Sequence, residues 1–388
     1  MKYLLSLILI IYSINSAEAQ KANVKKQFDL AQKQTGLMLH EITKADAKPG
    51  QFSPRTLEDN HLILVSSKDW TSGFFPGVLW YLYQYTADEK WLSSAQDFSG
   101  KLEKEQFNTG THDLGFIMYN SYGNGYRLTN NEAYKNIIIQ SAKSLATRYN
   151  PTTGVIRSWD HNRDKWQYPV IIDNMMNLEL LFEATKLSGD SSFYNIAVSH
   201  ANTTLKNHFR PDFSSYHVVD YNAEDGSVIA KNTHQGYSDA SAWARGQAWA
   251  LYGYTLCYRA TKNVAYLKQA EGIAGFILKN LPADKVPFWD YDDPKIPEVP
   301  RDASAAAITA SALLELRLFS LNKKQYTKAA KKMLASLAKK YSSKPGGNKG
   351  FILGHSTGNL PKDSEIDVPL NYADYYYLEA LLRYQKGK

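Results

Sequence analysis

The chain has 388 residues, 44% hydrophobic and 21% charged, which excludes an intrinsically disordered protein and suits one large domain or two ordinary ones. Its net charge is +7 and it carries a single cysteine, Cys257, so an intramolecular disulfide is excluded. The charge excess is partly local, with nine lysines and no acid between Lys323 and Lys349; few aromatics interleave with them, so the run reads as a solvated helix face and not as a nucleic-acid surface.

Residues 1–19 read as a secretory signal. Lys2 gives the positive start, Leu4 to Tyr12 an apolar core, and Ala17-Glu18-Ala19 small residues at the cleavage positions. That run is too short to span a membrane, and no later run is long and apolar enough. The expected mature protein is therefore exported, to a bacterial periplasm, as one domain over residues 20–388, since no Pro/Gly/Ser-rich linker divides it.

From there the periodicity is helical almost throughout. A weak repeat runs along it: Thr86-Ala-Asp-Glu-Lys-Trp91, Thr129-Asn-Asn-Glu-Ala-Tyr134, Ser188-Gly-Asp-Ser-Ser-Phe193, Thr261-Lys-Asn-Val-Ala-Tyr266 and Leu321-Asn-Lys-Lys-Gln-Tyr326. Each is a polar turn, then an aromatic, with a small or apolar residue one helical turn later. Such recurrence predicts stacked helical hairpins. A second helix type, starting near Trp70, Asp113, Asp173, Asp239, Asp302 and Asp374, is rich in Gly, Ala, Leu and Tyr and lacks a polar face, so it should be buried. Six buried helices inside six amphipathic ones predict an all-α (α/α)6 barrel. With the inner helices parallel, Asp113, Asp173, Asp239 and Asp302 would ring one mouth.

The chemistry concentrates in a few segments. His234 to Trp249 holds Gln235, Trp243, Arg245 and Trp249, ring faces and a forked cation suited to a sugar bearing a carboxylate. Asp113, after His112, and Asp173, after Val170-Ile171-Ile172, both precede helices. Each has two readings: a helix cap, or a carboxyl whose desolvation makes it a usable acid. Asn174 and Asn177 add polar groups beside Asp173, and a glycine after Asp113 permits close approach of a ligand or neighbour. His217 sits in a strand or loop. Trp70-Thr-Ser-Gly-Phe-Phe-Pro-Gly77 is an aromatic turn suited to a sugar platform or a packed corner, and Phe288 to Pro294 is an acidic aromatic loop read as lining a cleft. Cys257, among tyrosines and leucines, reads as a buried inert thiol. No HExxH, paired CxxC, phosphate loop or dinucleotide glycine motif occurs, so neither cofactor nor required metal is expected.

At these residues the chain resembles the unsaturated glucuronyl hydrolases of glycoside hydrolase family 88, from about Trp70 to Tyr377. The motifs are Trp70–Gly77, His112-Asp-Leu-Gly-Phe116, Ile172-Asp-Asn-Met-Met-Asn177, His234–Asp239 with Trp243–Trp249, and Pro300-Arg-Asp-Ala-Ser-Ala305. The resemblance implies the (α/α)6 barrel. It also implies removal of the C4=C5 unsaturated uronic acid that lyases leave on chondroitin, hyaluronan or heparin-type oligosaccharides, by hydration of the double bond. It implies Asp173 as general acid/base and Asp113 as the aspartate that orients or tunes it. Trp70, His217, Gln235, Arg245 and Trp249 become substrate-binding positions, with Arg245 offered to the uronate carboxylate. Ser356, Thr357 and Lys362 are candidates for sulfate contact. Two alternatives stay open on sequence: an unsaturated rhamnogalacturonyl hydrolase acting on pectin fragments, and a non-catalytic sugar-binding protein of the same fold.

Overall fold

A computed structural model describes residues 24–386, so the leader expected over residues 1–19 lies outside the described residues. The chain opens with α1 (residues 24–44), followed by a hairpin of β1 (Gln51–Glu58) and β2 (His61–Ser66). Then come α2 (Phe74–Thr86), α3 (Glu89–Gly100), a π-helical stretch Gly115–Gly123 that runs into α4 (Asn124–Thr129), and α5 (Glu132–Ala146). Two short strands, β3 (Tyr149–Asn150) and β4 (Val155–Ile156), and β5 (Pro169–Ile171) precede α6 (Asn174–Ser188) and α7 (Ser191–Asn207). Strands β6 (Val218–Tyr221) and β7 (Val228–Asn232) lead to α8 (Ala244–Thr261) and α9 (Val264–Asn280). The chain ends with α10 (Ala303–Leu316), α11 (Lys323–Ser336) and α12 (Asn371–Lys386).

The even-numbered helices close a ring: α2 packs on the 115–129 segment, which packs on α6, then α8, α10 and α12, and α12 returns to α2. The odd-numbered helices back them from outside. Composition explains the division. Every residue of α10 is buried, and a sequence of Ala, Ser, Thr, Ile and Leu with the one acid Glu315, which is ion-paired, leaves it no face for water. Helix α11 buries only Tyr326, Ala330, Met333 and Leu334 and turns its lysines outward, as the sequence predicts for a solvated face. The architecture is the predicted (α/α)6 barrel.

The repeat turns out to be corner chemistry. Ala87, Asn130, Gly189 and Lys262 end inner helices in the left-handed conformation, at φ of 55°, 54°, 76° and 59°. The next residue in each case, Asp88, Asn131, Asp190 or Asn263, caps the outer helix by accepting the backbone N–H two residues on. Each such cap contributes about 1 kcal/mol. The fifth copy departs: Asn322 makes no side-chain cap.

Two expectations need correction. The chain is not helical almost throughout, because β1–β2 and the antiparallel sheet β5-β6-β7 interrupt it. The β1–β2 turn is carried by Asp59 and Asn60, both at positive φ, a hairpin signal visible in the sequence. Nor do four aspartates ring the mouth. Asp239 lies in an exposed loop, accepting from Asn232 Nδ2 and Thr233 N. Asp302 caps α10 and is fully buried. Asp374 lies within the first turn of α12 and accepts from Ile352 N and Leu353 N. Asp113 and Asp173 remain at the mouth.

Candidate active site

Parallel inner helices bring their N-terminal ends together, and a cavity of about 390 Å³ opens there. That volume suits a small sugar substrate, and the converging N-termini favour an anionic one. Asp113, Asp173, Trp70, Gln235 and Arg245 all line it. His217 and Trp249 do not line it but sit directly behind the wall, each against Asp173.

The sheet places Asp173. Ile171 on β5 pairs with Val218 on β6, and Ile172 N donates to His217 O at 3.0 Å, so the chain delivers Asp173 and His217 side by side. His217 Nε2 stands 3.7 Å from Asp173 Oδ2. The two backbone donors His234 N and Gln235 N both point at His217 Nδ1, at 3.1 Å. Nδ1 is therefore an acceptor, and the proton of the neutral ring sits on Nε2, facing Asp173. Burial first, then the charges near His234 and Arg245, holds the His217 pKa well below its usual value.

A glycine places Asp113. A Cβ on Gly115 would lie 2.6 Å from Asn177 Cα, so only glycine lets the two inner helices meet there. Asn177 Oδ1 then accepts from Phe116 N at 3.0 Å, and its Nδ2 donates to Asp113 Oδ1 at 3.3 Å. The glycine predicted to allow close approach serves this neighbour.

Neither carboxylate caps its helix: Asp173 occupies the cap position of α6 without a side-chain cap bond, and the π-helix after Asp113 also lacks one. The capping reading is thereby set aside for both. Burial pushes Asp173 up to about 7; the Arg245 charge opposes this and the Asp113 charge adds to it. Burial likewise pushes Asp113 up to about 7, against the Asn177 hydrogen bond. Asp173 Oδ2 has no hydrogen-bond partner, and the buried Trp249 indole N–H approaches the same carboxyl without reaching hydrogen-bond geometry. Such a site can hold a proton near neutral pH and release it.

Arg245 is more constrained than its sequence suggests. Nη1 donates to Asp302 Oδ2 at 3.1 Å and to Thr357 O, and Nη2 donates to Gly358 O. Trp243 lies under the guanidinium at 4.4 Å. Three of its five N–H donors are thus committed, and Nε has no partner. Its second role is to tie the 357–358 loop to the barrel, with help from Gln235 Nε2, which donates to Gly358 O at 3.1 Å. Arg245→Lys is expected to cost roughly 3 kcal/mol of stability, read by denaturant unfolding, because one ammonium nitrogen cannot reproduce the planar fork whose two nitrogens reach these acceptors. Unchanged stability would exclude this tether.

Of the sulfate candidates, only Lys362 reaches the cavity. Ser356 and Thr357 are buried, and Thr357 Oγ1 donates to Arg301 O. Lys362 is exposed, with no ion pair among the described residues, whereas Arg55 is held by Asp69 and Glu365. The acidic aromatic loop does not line the cleft as predicted. Its Asp290 instead accepts from Tyr237 N and Ser241 Oγ, and Trp289 Nε1 donates to Asp293. Among the described residues no group of three or more His, Cys, Asp or Glu is placed to hold a metal ion. Cys257 is fully buried, and burial pushes its thiol far up.

Sequence reasoning missed several wall residues: Trp159, His161, Tyr372 and, as a cavity group, His112. Trp159 stacks on His161 at 5.4 Å and also meets His234 at 5.5 Å. The signal was present in Trp159-Asp-His161, but the segment carries no periodicity to place it.

The barrel and its carboxylate-bearing mouth define a glycoside-processing class, and the comparisons specify it. The family model for Glycosyl Hydrolase Family 88 matches residues 43–386, and the chain belongs to that family. It is 50% identical over 370 residues to an unsaturated glucuronyl hydrolase of Formosa agariphila, covering 94% of this chain and 92% of that one. It is 33% identical to an unsaturated chondroitin disaccharide hydrolase of Streptococcus pyogenes, over 94% of this chain and 92% of the relative. A solved unsaturated glucuronyl hydrolase described as specific for heparin superposes with a TM-score of 0.86 at 47% identity, covering 92% of this chain and 97% of that structure.

Proposed function

We propose that this protein removes the C4=C5 unsaturated uronic acid from the non-reducing end of lyase-generated glycosaminoglycan oligosaccharides, by hydrating the double bond. Two buried, uncapped carboxyls at one mouth, both poised near neutrality, are the observation that carries this reading. Asp173 delivers its proton to C4. Its carboxylate then takes a proton from the water that adds at C5. The resulting hemiketal rearranges and the glycosidic bond breaks. Asp113 orients and tunes Asp173 from the neighbouring inner helix, where Asn177 holds it. His217 faces the same carboxyl with Nε2–H from behind the wall, at 3.7 Å.

Trp70 supplies a ring face to the sugar, held by Phe74, Phe116 and Tyr372 around it. Gln235 and the unpaired Nε–H of Arg245 supply donors. Lys362 supplies a free ammonium at the wall for an anionic group. The 1–19 leader supports export to a bacterial periplasm, where lyase products are available.

The test follows the ultraviolet absorbance of the C4=C5 chromophore with purified enzyme and unsaturated chondroitin, hyaluronan and heparin disaccharides. The expected result is loss of absorbance with at least one of them. No loss with any of the three, but loss with an unsaturated rhamnogalacturonan disaccharide, would move the activity to pectin fragments. No loss with any substrate, with binding retained, would make the protein a sugar binder.

A further inference from the structure

His112 is buried, and the fold leaves both its ring nitrogens with defined tasks. Nδ1 faces Ser158 O at 2.5 Å, and a carbonyl can only accept, so Nδ1 carries a proton. Ser158 is itself fixed: its N donates to Pro169 O, and its Oγ accepts from Ile171 N at 2.9 Å. The ring is thus anchored to the strand that delivers Asp173. Its other nitrogen, Nε2, lies 3.2 Å from Asp113 Oδ1 and has no other partner.

A bare lone pair and a carboxylate oxygen cannot face each other at that distance without a proton between them. The proton resides either on an imidazolium or on the acid. Burial outweighs the Ser158 hydrogen bond, which alone among the nearby groups acting on the ring favours the imidazolium. The ring is buried and the Arg148 guanidinium acts on it, so the His112 pKa falls to about 3. The groups facing Asp113 are Asn177 from α6, with Thr111 beside it in the chain, Asp173 in the same cavity, and Asp69 and Arg148 at longer range. The Asn177 donor can share Oδ1 with a hydroxyl, since that oxygen still has a lone pair to accept with.

We infer that His112 is a positioning residue whose Nε2 accepts the proton of Asp113, so that Asp113 meets the anionic substrate as a neutral acid. This rests on the uronate-hydrating function proposed above. A uronate entering the cavity brings a carboxylate, and two ionised aspartates would repel it. A neutral Asp113 offers no such repulsion and leaves Asp173 as the one carboxyl that cycles its charge.

Two variants and one substrate-free measurement test this. His112→Asn keeps an N–H for Ser158 O but removes the acceptor opposite Asp113 and admits water, which favours the carboxylate. Its alkaline limb of kcat/KM is expected to move at least one pH unit lower, with a roughly tenfold loss at pH 7.5 that is recovered by pH 5.5. His112→Gln can present its amide oxygen at the Nε2 position and is expected to hold the limb within about half a unit of wild type. Equal, pH-independent losses in both variants would mean a purely structural role and overturn the inference. Infrared difference spectra of wild type against Asp113→Asn at pH 6, without substrate, should contain a hydrogen-bonded carboxylic-acid carbonyl band. Its absence would overturn the inference even if neither His112 variant folds. Because that spectrum needs no turnover, it also separates failure of this inference from failure of the proposed activity.

Discussion

Asp173→Asn is expected to lower turnover of an unsaturated disaccharide by about a thousandfold or more while leaving its Kd within roughly threefold of wild type. The substitution keeps the shape of the side chain and removes the transferable proton. Around it the geometry stays in place, because β5–β6 pairing and the His217 carbonyl hold the backbone, and neither depends on the carboxyl. Asp113→Asn should cost less, about a hundredfold, since Asp113 acts through Asp173. Isothermal calorimetry for binding and the chromophore assay for turnover separate the two quantities. Turnover by Asp173→Asn within tenfold of wild type would remove Asp173 from the chemistry. A parallel loss of binding would instead make it a substrate anchor.

The same variants should be more stable than wild type in alkali. Folding raises both carboxyl pKa values, from the ordinary aspartate range to about 7. Between those limits the folded state holds protons that the unfolded chain has released. Their stabilising effect is complete in acid, below the unfolded value, and is lost as pH rises through about 7. A shift of about three units corresponds to at most ~4 kcal/mol for one group, and coupling between the two makes the losses less than additive. An asparagine at either position never ionises. Its gain over wild type is expected to reach roughly 2–4 kcal/mol at pH 8 and to vanish near pH 4, measured by denaturant unfolding. Equal stability at pH 8 would show that the carboxyls are solvated when the site is empty. The acid side has the opposite sign: His112 and His200, both held near 3 by burial, must charge as the chain unfolds, so stability contributed by their neutral forms is lost as pH falls below about 6.5. The native state is squeezed from both ends by the groups that form and surround its site.

The opposite mouth shows what the barrel does with buried charge when no substrate is involved. There Glu379 accepts from Tyr81 and Tyr252 at 3.0 Å, and Arg383 pairs with Glu315 at 2.9 Å and with Glu379 at 3.3 Å. Arg259 bridges Glu315 and Glu179. Each acid has a cation or hydroxyls, and the cations sit at helix C-termini, where the dipole favours them. At the active mouth Asp173 Oδ2 lacks any such partner.

The sequence by itself determined the barrel, because the rules involved are local. A helix of alanines and leucines with no polar face has to be inside, and a polar turn followed by an aromatic marks where the chain turns between helices. Those two patterns, read at Ala303–Leu316 and at Asp88, Asn131, Asp190 and Asn263, suffice for inner and outer layers. They also brought Asp113 and Asp173 to one end. What local pattern could not decide was which aspartate caps and which is left unsatisfied. Asp302 and Asp173 occupy the same kind of position, one before an inner helix, and only the first turns its carboxylate to the backbone. That choice depends on residues distant in the chain: Arg245, which claims Asp302, and His217, which a strand pairing carries to Asp173. The engagement of Arg245 by Thr357 and Gly358 was equally invisible, because it spans more than a hundred residues. The tertiary structure decided the titrations as well, since burial is what lifts the pKa of two ordinary aspartates to about 7 and pushes those of His112 and His217 well below their usual value.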